Sequence, residues 1–188
     1  MVRLGAWLFK HRTSIPVPLA LALIAIPPTH ASRPLFWAGG AVVAAGECLR
    51  LWAVAHIGAV SRTRTDRLGP LIDTGPFAWV RNPLYIGNIA LWAGFALSAG
   101  MPWLAPIFVA LLGFEYHAIV RWEEQLLESR LGQPYRDYAR RVARWIPRPP
   151  GAASRHIDRA FSWGQTLFSE RGTLLAIAVG FLLVGLKR

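Results

Sequence analysis

The sequence predicts an all-α, polytopic membrane protein with about five transmembrane helices and one cytoplasmic amphipathic helix. Of its 188 residues, 54% are hydrophobic and only 16% are charged. The apolar residues form several segments, and short arginine-rich segments separate them. A soluble domain of this length could hardly bury so much apolar surface, whereas lipid solvates the outside of membrane helices. We expect a single domain over residues 1–188.

Five apolar segments approach the roughly 17 to 25 residues that a spanning helix needs. The second and fourth are long enough to span without help, and the others lie near the lower limit. Only Gly100 and Met101 separate the third from the fourth, which predicts a tight antiparallel hairpin. Basic residues precede the first segment as in a signal peptide, but no small-residue cleavage site follows, so we expect a retained helix. The segments are Ile15 to Pro28, Pro34 to Ile57, Pro83 to Ala99, Pro102 to Val120 and Gly172 to Leu186.

The distribution of Lys and Arg predicts the orientation. With the N-terminus inside, seventeen basic residues fall in inside segments and only three, Arg33, Lys187 and Arg188, fall outside. Basic loops favour the cytoplasmic face, so we expect a bacterial inner-membrane protein with a cytoplasmic N-terminus. The net charge of +11 is spread between the spans, which argues against nucleic-acid binding. The oligomeric state is not predictable from the sequence.

Two longer polar stretches face the cytoplasm in this topology. Residues Ala59 to Arg81 contain Gly-Pro pairs and predict a turn-rich loop. Residues Arg121 to Ile146 predict an amphipathic helix that breaks near Gly132. Its arginines lie away from an apolar side, and such a helix is expected to lie on the membrane surface. The apolar side consists of Tyr135, Tyr138, Val142 and Trp145.

Asn82 and Pro83 predict the start of the third apolar helix, with Asn82 as the N-cap and Pro83 in the first turn. The free backbone amides at such a start attract an anion, for example the carboxylate of a cofactor. The alternative is a plain helix cap at the interface, with Trp79 and Tyr85 as interfacial aromatic residues.

Glu123 and Glu124 follow the fourth apolar segment directly. Carboxylates at a boundary that is otherwise basic could bind the hydroxyl or amino groups of a nucleoside cofactor and balance a positive charge. The alternative is a solvated helix start in which Glu124 pairs with Arg121, or Glu128 pairs with Arg121 or Arg130. Exposed ion pairs of that kind contribute little, about 0–1 kcal/mol.

Ionisable residues also occur within the apolar segments, where charge is costly and indicates a function. Glu47 and Arg50 are three residues apart and can neutralise each other on one helix face. His56, Glu115 and His117 are the other members of this group. The single cysteine, Cys48, excludes an internal disulfide and a sulfur-based metal site, and is expected to be a small core residue. The sequence contains no HExxH metal pair, phosphate-binding glycine loop or Ser-His-Asp arrangement that we would defend.

Three linked motifs between Arg62 and Pro147 resemble the isoprenylcysteine carboxyl methyltransferases and phospholipid methyltransferases. The motifs are LIDTGPFAWVRNPLYIG, EEQLLESRLGQPYRDY and RRVARWIPR. The resemblance implies a helical membrane enzyme that binds S-adenosylmethionine near the cytoplasmic face and methylates a lipid or lipid-linked acceptor. The last span lies outside the motifs. The resemblance implies that the cofactor is held by Gly69, Pro70, Leu71, Ile72, Phe77, Asn82, Pro83, Leu84, Tyr85 and Glu123.

The acceptor could be a carboxylate, as in a prenylcysteine, or a phospholipid amine. A carboxylate needs only a cation to place it, such as Arg121 or Arg144. An amine must first lose a proton, which Glu124 or His117 could take. The family often has His where this sequence has Asn82, and its carboxyl methyltransferases have Arg at the position of Ile119. A nicotinamide-dependent membrane reductase and a non-catalytic membrane scaffold are the alternative functions.

Overall fold

The computed structural model describes residues 1–57, 71–149 and 162–187, and within these ranges the regular structure is entirely helical. A short 3₁₀ turn, Gly75–Ala78, precedes the fourth α-helix. This architecture confirms the predicted all-α fold class. The helices are α1 (Val2–His11), α2 (Pro16–Ala25), α3 (Arg33–Ile57), α4 (Pro83–Ser98), α5 (Leu104–Leu131), α6 (Gln133–Arg141) and α7 (Trp163–Leu186).

The protein is an integral membrane protein. Helices α3, α5 and α7, with 25, 28 and 24 residues, are long and apolar enough to cross a bilayer. Helices α2 and α4 are apolar but shorter. Large apolar side chains such as Leu111, Phe114 and Leu182 are exposed on the outside of the bundle, as expected for helices solvated by lipid.

Glycines bring α3 and α4 into close antiparallel contact at two points. A Cβ atom on Gly94 would lie 2.7 Å from the Gly39 carbonyl oxygen, and one on Gly46 would lie 2.9 Å from the Gly87 carbonyl oxygen. Each helix places its two glycines seven residues apart, which keeps both on one face. Small residues at such positions let helix backbones approach closely and maximise packing in a membrane.

Helices α4 and α5 form the predicted antiparallel hairpin. The chain reverses through Gly100, whose φ of 74° is a left-handed conformation that favours glycine. The Met101 amide donates to the Ala96 carbonyl oxygen at 2.9 Å and closes the turn. Further along the hairpin, the rings of Trp92 and Phe108 pack edge to face with centroids 5.8 Å apart.

The N-terminal helix α1 was not predicted from the sequence. It lies against α5, where Gly5 approaches so closely that a Cβ atom would fall 2.0 Å from the Ala118 carbonyl oxygen. Only four residues separate α1 from α2, and the Ile15 amide still donates to the His11 carbonyl oxygen. Pro16 has no N–H to donate, so the helical hydrogen bonding is interrupted and a new helix, α2, begins at this residue. The first apolar segment is therefore extended by a helical, basic N-terminal part.

Helix α5 continues past Val120 to Leu131, so the predicted boundary between span and amphipathic helix is wrong. The break at Gly132 is confirmed, with a φ of 61°. Helix α6 then ends at Arg141 instead of continuing to Ile146. The apolar face of α6 was predicted to face the membrane surface, but it packs against the end of α5 and against Leu71. Buried residues Tyr135, Tyr138 and Val142 contact Leu71, Leu127, Leu131 and Ala139.

Helix α7 begins at Trp163, nine residues before the predicted start at Gly172. At its other end, the Lys187 ammonium donates to the carbonyl oxygen of Leu23 at 2.7 Å and to that of Ile26. Lys187 thus satisfies carbonyl groups at the end of α2 that have no helical donor. The prediction for Cys48 is wrong, because this residue is exposed beside α7 and not in the core.

Candidate active site

The candidate site begins at the start of α4. Asn82 occupies the N-cap position and Pro83 the first helical position, as predicted. The Asn82 side chain does not cap the helix, however, and instead donates to the Arg144 carbonyl oxygen at 3.1 Å. Amides in the first turn of a helix have no intrahelical acceptor. Those of Leu84 and Tyr85 therefore form the positive end of the α4 dipole.

Tyr85 connects this helix start to Glu123 on α5. Its hydroxyl donates to the Glu123 carboxylate and lies 3.1 Å from both oxygens. Its ring packs against Tyr116, with centroids 4.7 Å apart. The Arg12 guanidinium, just after α1, is near enough to act electrostatically on both Glu123 and Tyr85. The helix start and the carboxylate are thus adjacent although 38 residues separate them in the chain.

Glu124 joins two arginines from different parts of the chain. Its Oε1 lies 2.9 Å from Arg81 Nη1 and 2.9 Å from Arg144 Nε, and its Oε2 lies 2.6 Å from Arg144 Nη2. The Glu124 side chain is only 15% exposed. Hydrogen bonding to this carboxylate raises the pKa of the Arg144 guanidinium above its usual value. Arg121, the partner considered from the sequence, is exposed and contacts none of these groups.

Backbone hydrogen bonds hold the same two segments together. The Arg81 amide donates to the Ala143 carbonyl oxygen at 2.9 Å, and the Arg148 amide donates to the Trp79 carbonyl oxygen at 2.9 Å. The segment that follows α6 therefore lies along the segment that precedes α4. Together with the α5 carboxylates, these two paired segments make up the candidate site.

The buried tyrosines of α6 support this arrangement. The Tyr138 hydroxyl donates to the Phe77 carbonyl oxygen at 2.9 Å, which ties α6 to the 3₁₀ turn. Burial, the largest cause, raises the pKa of Tyr135 to about 12 and raises that of Tyr138 further. Both phenols are consequently kept neutral and serve as packing and hydrogen-bonding groups.

His117 contacts Trp145, which lies beyond the end of α6. The indole Nε1 donates to His117 Nδ1 at 3.3 Å, so the lone pair of that nitrogen is engaged. The two rings are 6.3 Å apart between centroids. Trp145 was assigned to an amphipathic helix from its spacing, whereas the structure places it next to α5.

The structure brings some of the sequence-predicted residues together and separates others. Asn82, Tyr85, Glu123, Glu124, Arg144 and His117 belong to the group of contacts just described. Leu71 packs beneath α6 and Phe77 and Pro83 are buried, so these three contribute packing. Ile72 and Leu84 are partly buried. Gly69 and Pro70 lie outside the described residues.

A model of the phospholipid methyltransferase family matches residues 35–134, more than half of the chain. The chain belongs to this family. Phospholipid methyltransferases are enzymes that methylate membrane-borne substrates, which agrees with the helical membrane architecture. The match includes α3, α4 and α5 and ends at the start of α6, while α1, α2 and α7 lie outside it.

Two curated relatives are metal resistance proteins. The nickel-cobalt-cadmium resistance protein NccN of Alcaligenes xylosoxydans xylosoxydans is 30% identical over 153 residues, covering 77% of this chain and 68% of the relative. The cobalt-zinc-cadmium resistance protein CzcN of Cupriavidus metallidurans is 32% identical over 101 residues, covering 53% of this chain. The chain spans only 43% of the length of CzcN. No solved structure gives a significant match.

Several residues of this candidate site were not predicted as site residues from the sequence. Arg81 and Trp145 adjoin predicted residues, Asn82 and Arg144, so their place in the motifs could have identified them. Arg12 and Tyr116 have no such indication, because Arg12 reaches the site through the packing of α1 on α5, and Tyr116 through the packing of α5 on α4.

Proposed function

We propose that this phospholipid methyltransferase transfers a methyl group from S-adenosylmethionine to a lipid-borne acceptor. The observation that supports the proposal most is the contact between Tyr85 and Glu123, since it places a free helix start beside a carboxylate. S-adenosylmethionine carries a carboxylate at one end and ribose hydroxyls, an amine and a sulfonium elsewhere. A site with an anion-binding end and an anionic end complements that distribution of charge.

In this proposal the amides of Leu84 and Tyr85 bind the cofactor carboxylate, and Glu123 accepts hydrogen bonds from the ribose or the amino group. Asn82 and the loop with Gly69, Pro70 and Ile72 complete the cofactor site as the family resemblance implies. The Glu124 clamp, meaning Glu124 with Arg81 and Arg144, holds the segments before α4 and after α6 against α5 beside the cofactor site.

Methyl transfer is an in-line displacement at carbon, with the acceptor atom forming its bond as the carbon–sulfur bond breaks. The sulfonium is already activated, so alignment and exclusion of water supply most of the acceleration. The contacts favour a positioning role for Glu124, since both of its oxygens accept from arginines. Its alternative role as a base, like that of His117, stays a prediction, as do the acceptor-binding roles of Arg121 and Arg144.

We place the N-terminus and the candidate site at the cytoplasmic face of the inner membrane. The excess of basic residues in the segments around α1, before α4 and after α5 supports this orientation. The cofactor would then enter from the cytosol, while a lipid acceptor could approach from the bilayer between the helices.

Calorimetric titration of S-adenosylmethionine and of its demethylated product, S-adenosylhomocysteine, into detergent-purified protein tests the cofactor. We expect micromolar binding that weakens at least tenfold in Glu123→Gln, because a hydrogen bond to a charged group contributes about 1.5–3 kcal/mol. Glu128→Gln is the matched control, since Glu128 lies on the same helix in an exposed pair with Arg136. Absence of binding to folded wild-type protein would refute the proposal.

The acceptor requires a separate assay. Transfer of a labelled methyl group should be measured to phosphatidylethanolamine vesicles and to a farnesylated cysteine in parallel. Product in the first assay indicates methylation of an amine, and product in the second indicates methylation of a carboxylate. Binding of the cofactor without transfer to either would mean that neither acceptor class is correct.

A further inference from the structure

Arg50 lies in the membrane part of α3 and contacts three other side chains on α4 and α7, besides Glu47 on its own helix. It is only 5% exposed. Its Nη2 lies 2.5 Å from Glu170 Oε2 and 3.1 Å from the Thr173 hydroxyl, both on α7. Its Nε donates to Glu47 at 3.1 Å, as the sequence predicted, and its Nη1 donates to the Asn88 side chain on α4. One guanidinium therefore connects α3, α4 and α7.

The contacts continue from Asn88 to the candidate cofactor site. The Asn88 carbonyl oxygen accepts from Arg50, and the Asn88 side chain is close enough to the Tyr116 hydroxyl to interact with it electrostatically. The Tyr116 ring packs on Tyr85, whose hydroxyl donates to Glu123. A chain of polar and aromatic contacts thus runs from Glu170 on α7 to the carboxylate proposed to bind the cofactor.

The far end of α7 is held mainly by apolar packing, with Val184 in the core, and by Lys187 just after the helix. Gly180 and Phe181 contact Phe95 near the far end, with the Phe95 and Phe181 rings 5.1 Å apart. Between this contact and Arg50, an open apolar groove of about 260 Å³ separates α7 from α3, and Cys48 and Leu174 line it. Glu170, by contrast, is completely buried. The buried ion pair with Arg50 is therefore a strong polar attachment of this end of α7 in lipid.

We propose that α7 is a positioning element of the active site and that Glu170, Thr173 and Arg50 are positioning residues that set Tyr85 on Glu123. The inference rests on the proposed binding of S-adenosylmethionine at Glu123. Loss of Glu170 removes one of the two carboxylates that pair with Arg50 in the described structure and takes a buried charged acceptor away from Nη2, so the guanidinium is drawn toward Glu47. Any shift of Arg50 moves Asn88, and Tyr116 and Tyr85 lose their fixed orientation. The span beyond the family match would thereby belong to the catalytic unit.

Coupling between two sites is reciprocal, so cofactor binding should in turn hold α7 against α3. Cys48, the only cysteine in the chain, lies in the groove between these helices and can report on this movement. Its rate of modification by a pyrene maleimide should fall when S-adenosylhomocysteine is added to wild-type protein. A cysteine placed at Ala45 in a Cys48→Ala background is the matched control, because Ala45 is exposed on α3 but does not line the groove.

The experiment compares wild type, Glu170→Gln and Arg171→Gln in calorimetry and in Cys48 modification. Arg171 is the control on the same helix, since it is exposed and, among the residues that the structure describes, its guanidinium interacts with Phe168. We expect Glu170→Gln to weaken S-adenosylhomocysteine binding about five- to tenfold, within the usual range of such coupling. We also expect Cys48 to react faster and to lose its response to the ligand, with Arg171→Gln like wild type.

An unchanged affinity in Glu170→Gln would overturn the inference, whether or not Cys48 becomes more reactive. If Glu170→Gln fails to fold, the milder Thr173→Val replaces it. A wild-type affinity in Thr173→Val would then overturn the inference. If Glu170→Asp retains the wild-type affinity and Glu170→Gln does not, the charge of this side chain is what the coupling requires. Failure of wild-type protein to bind the ligand refutes the proposed function itself, and the coupling with it.

Discussion

Replacing Glu124 by Gln should weaken the attachment of α5 to the two paired segments that carry Arg81 and Arg144. The carboxylate holds Arg81 and Arg144 at 2.6 to 2.9 Å, and the side chains of the three residues are only 13% to 26% exposed. Removing one partner from a buried ion pair costs about 3–5 kcal/mol. Partial exposure screens the remaining charges, so we expect a loss of about 2–3 kcal/mol in the free energy of unfolding.

Thermal unfolding followed by tryptophan fluorescence, together with calorimetry of S-adenosylhomocysteine, measures both consequences. The melting temperature should fall by about 5–10 °C, since 1 kcal/mol shifts a protein of this size by about 2–4 °C. Ligand affinity should fall at least tenfold, because the segment before α4 is held less firmly against the α5 carboxylates. Glu128→Gln removes a 3.7 Å pair whose side chains are about half exposed, and should change stability by less than about 1 kcal/mol. Equal melting temperatures for the two variants would refute the reasoning, and a destabilised Glu124→Gln with normal affinity would separate the clamp from the cofactor site.

Three further predictions follow from the packing. Gly94→Ala should destabilise the fold by about 1–3 kcal/mol, because the new methyl group would overlap the α3 backbone. Gly113→Ala, with open space around it, should instead stabilise its helix by about 0.5–1 kcal/mol. Equal melting temperatures for the two variants would contradict this prediction. Burial raises the pKa of Tyr135 to about 12, so the unfolded chain loses the phenolic proton at a lower pH than the folded protein does. About 2 kcal/mol of the free energy of unfolding should therefore be lost as pH rises from 10 to 12. A Tyr135→Phe variant with the same alkaline melting profile as wild type would contradict this prediction. Lys187→Met should lower the free energy of unfolding by about 1 kcal/mol, because the carbonyl groups at the end of α2 lose their donor. Hydrogen exchange of the α2 amides should become faster. Unchanged exchange would show that the contact does not stabilise α2.

Local patterns in the sequence were sufficient for the elements whose determinants are close in the chain. The start of α4 follows from Asn82 and Pro83, and the α4–α5 turn from Gly100. The ion pair of Glu47 with Arg50 follows from helical spacing. In each case the residues that decide the structure are within a few positions of one another.

Contacts between distant residues could not be predicted in the same way. Glu124 finds Arg81 and Arg144 only because the segments before α4 and after α6 pair through their backbones. Glu170 was overlooked as a membrane residue because it precedes the most apolar part of α7 by several positions. The apolar face of α6 is equally compatible with lipid and with protein, and tertiary packing chose the protein.

The length of α5 has a consequence for where chemistry can occur. Its 28 residues extend for about 42 Å, while the hydrocarbon core of a bilayer is about 30 Å thick. Counting from Leu104, Glu123 and Glu124 lie about 28–30 Å along the helix axis, and roughly two further turns of α5 follow them. We therefore expect α5 to hold the two carboxylates near the level of the lipid headgroups. An acceptor whose reactive atom is in its headgroup could be methylated without leaving the leaflet, and the rate should respond to the thickness of the surrounding bilayer.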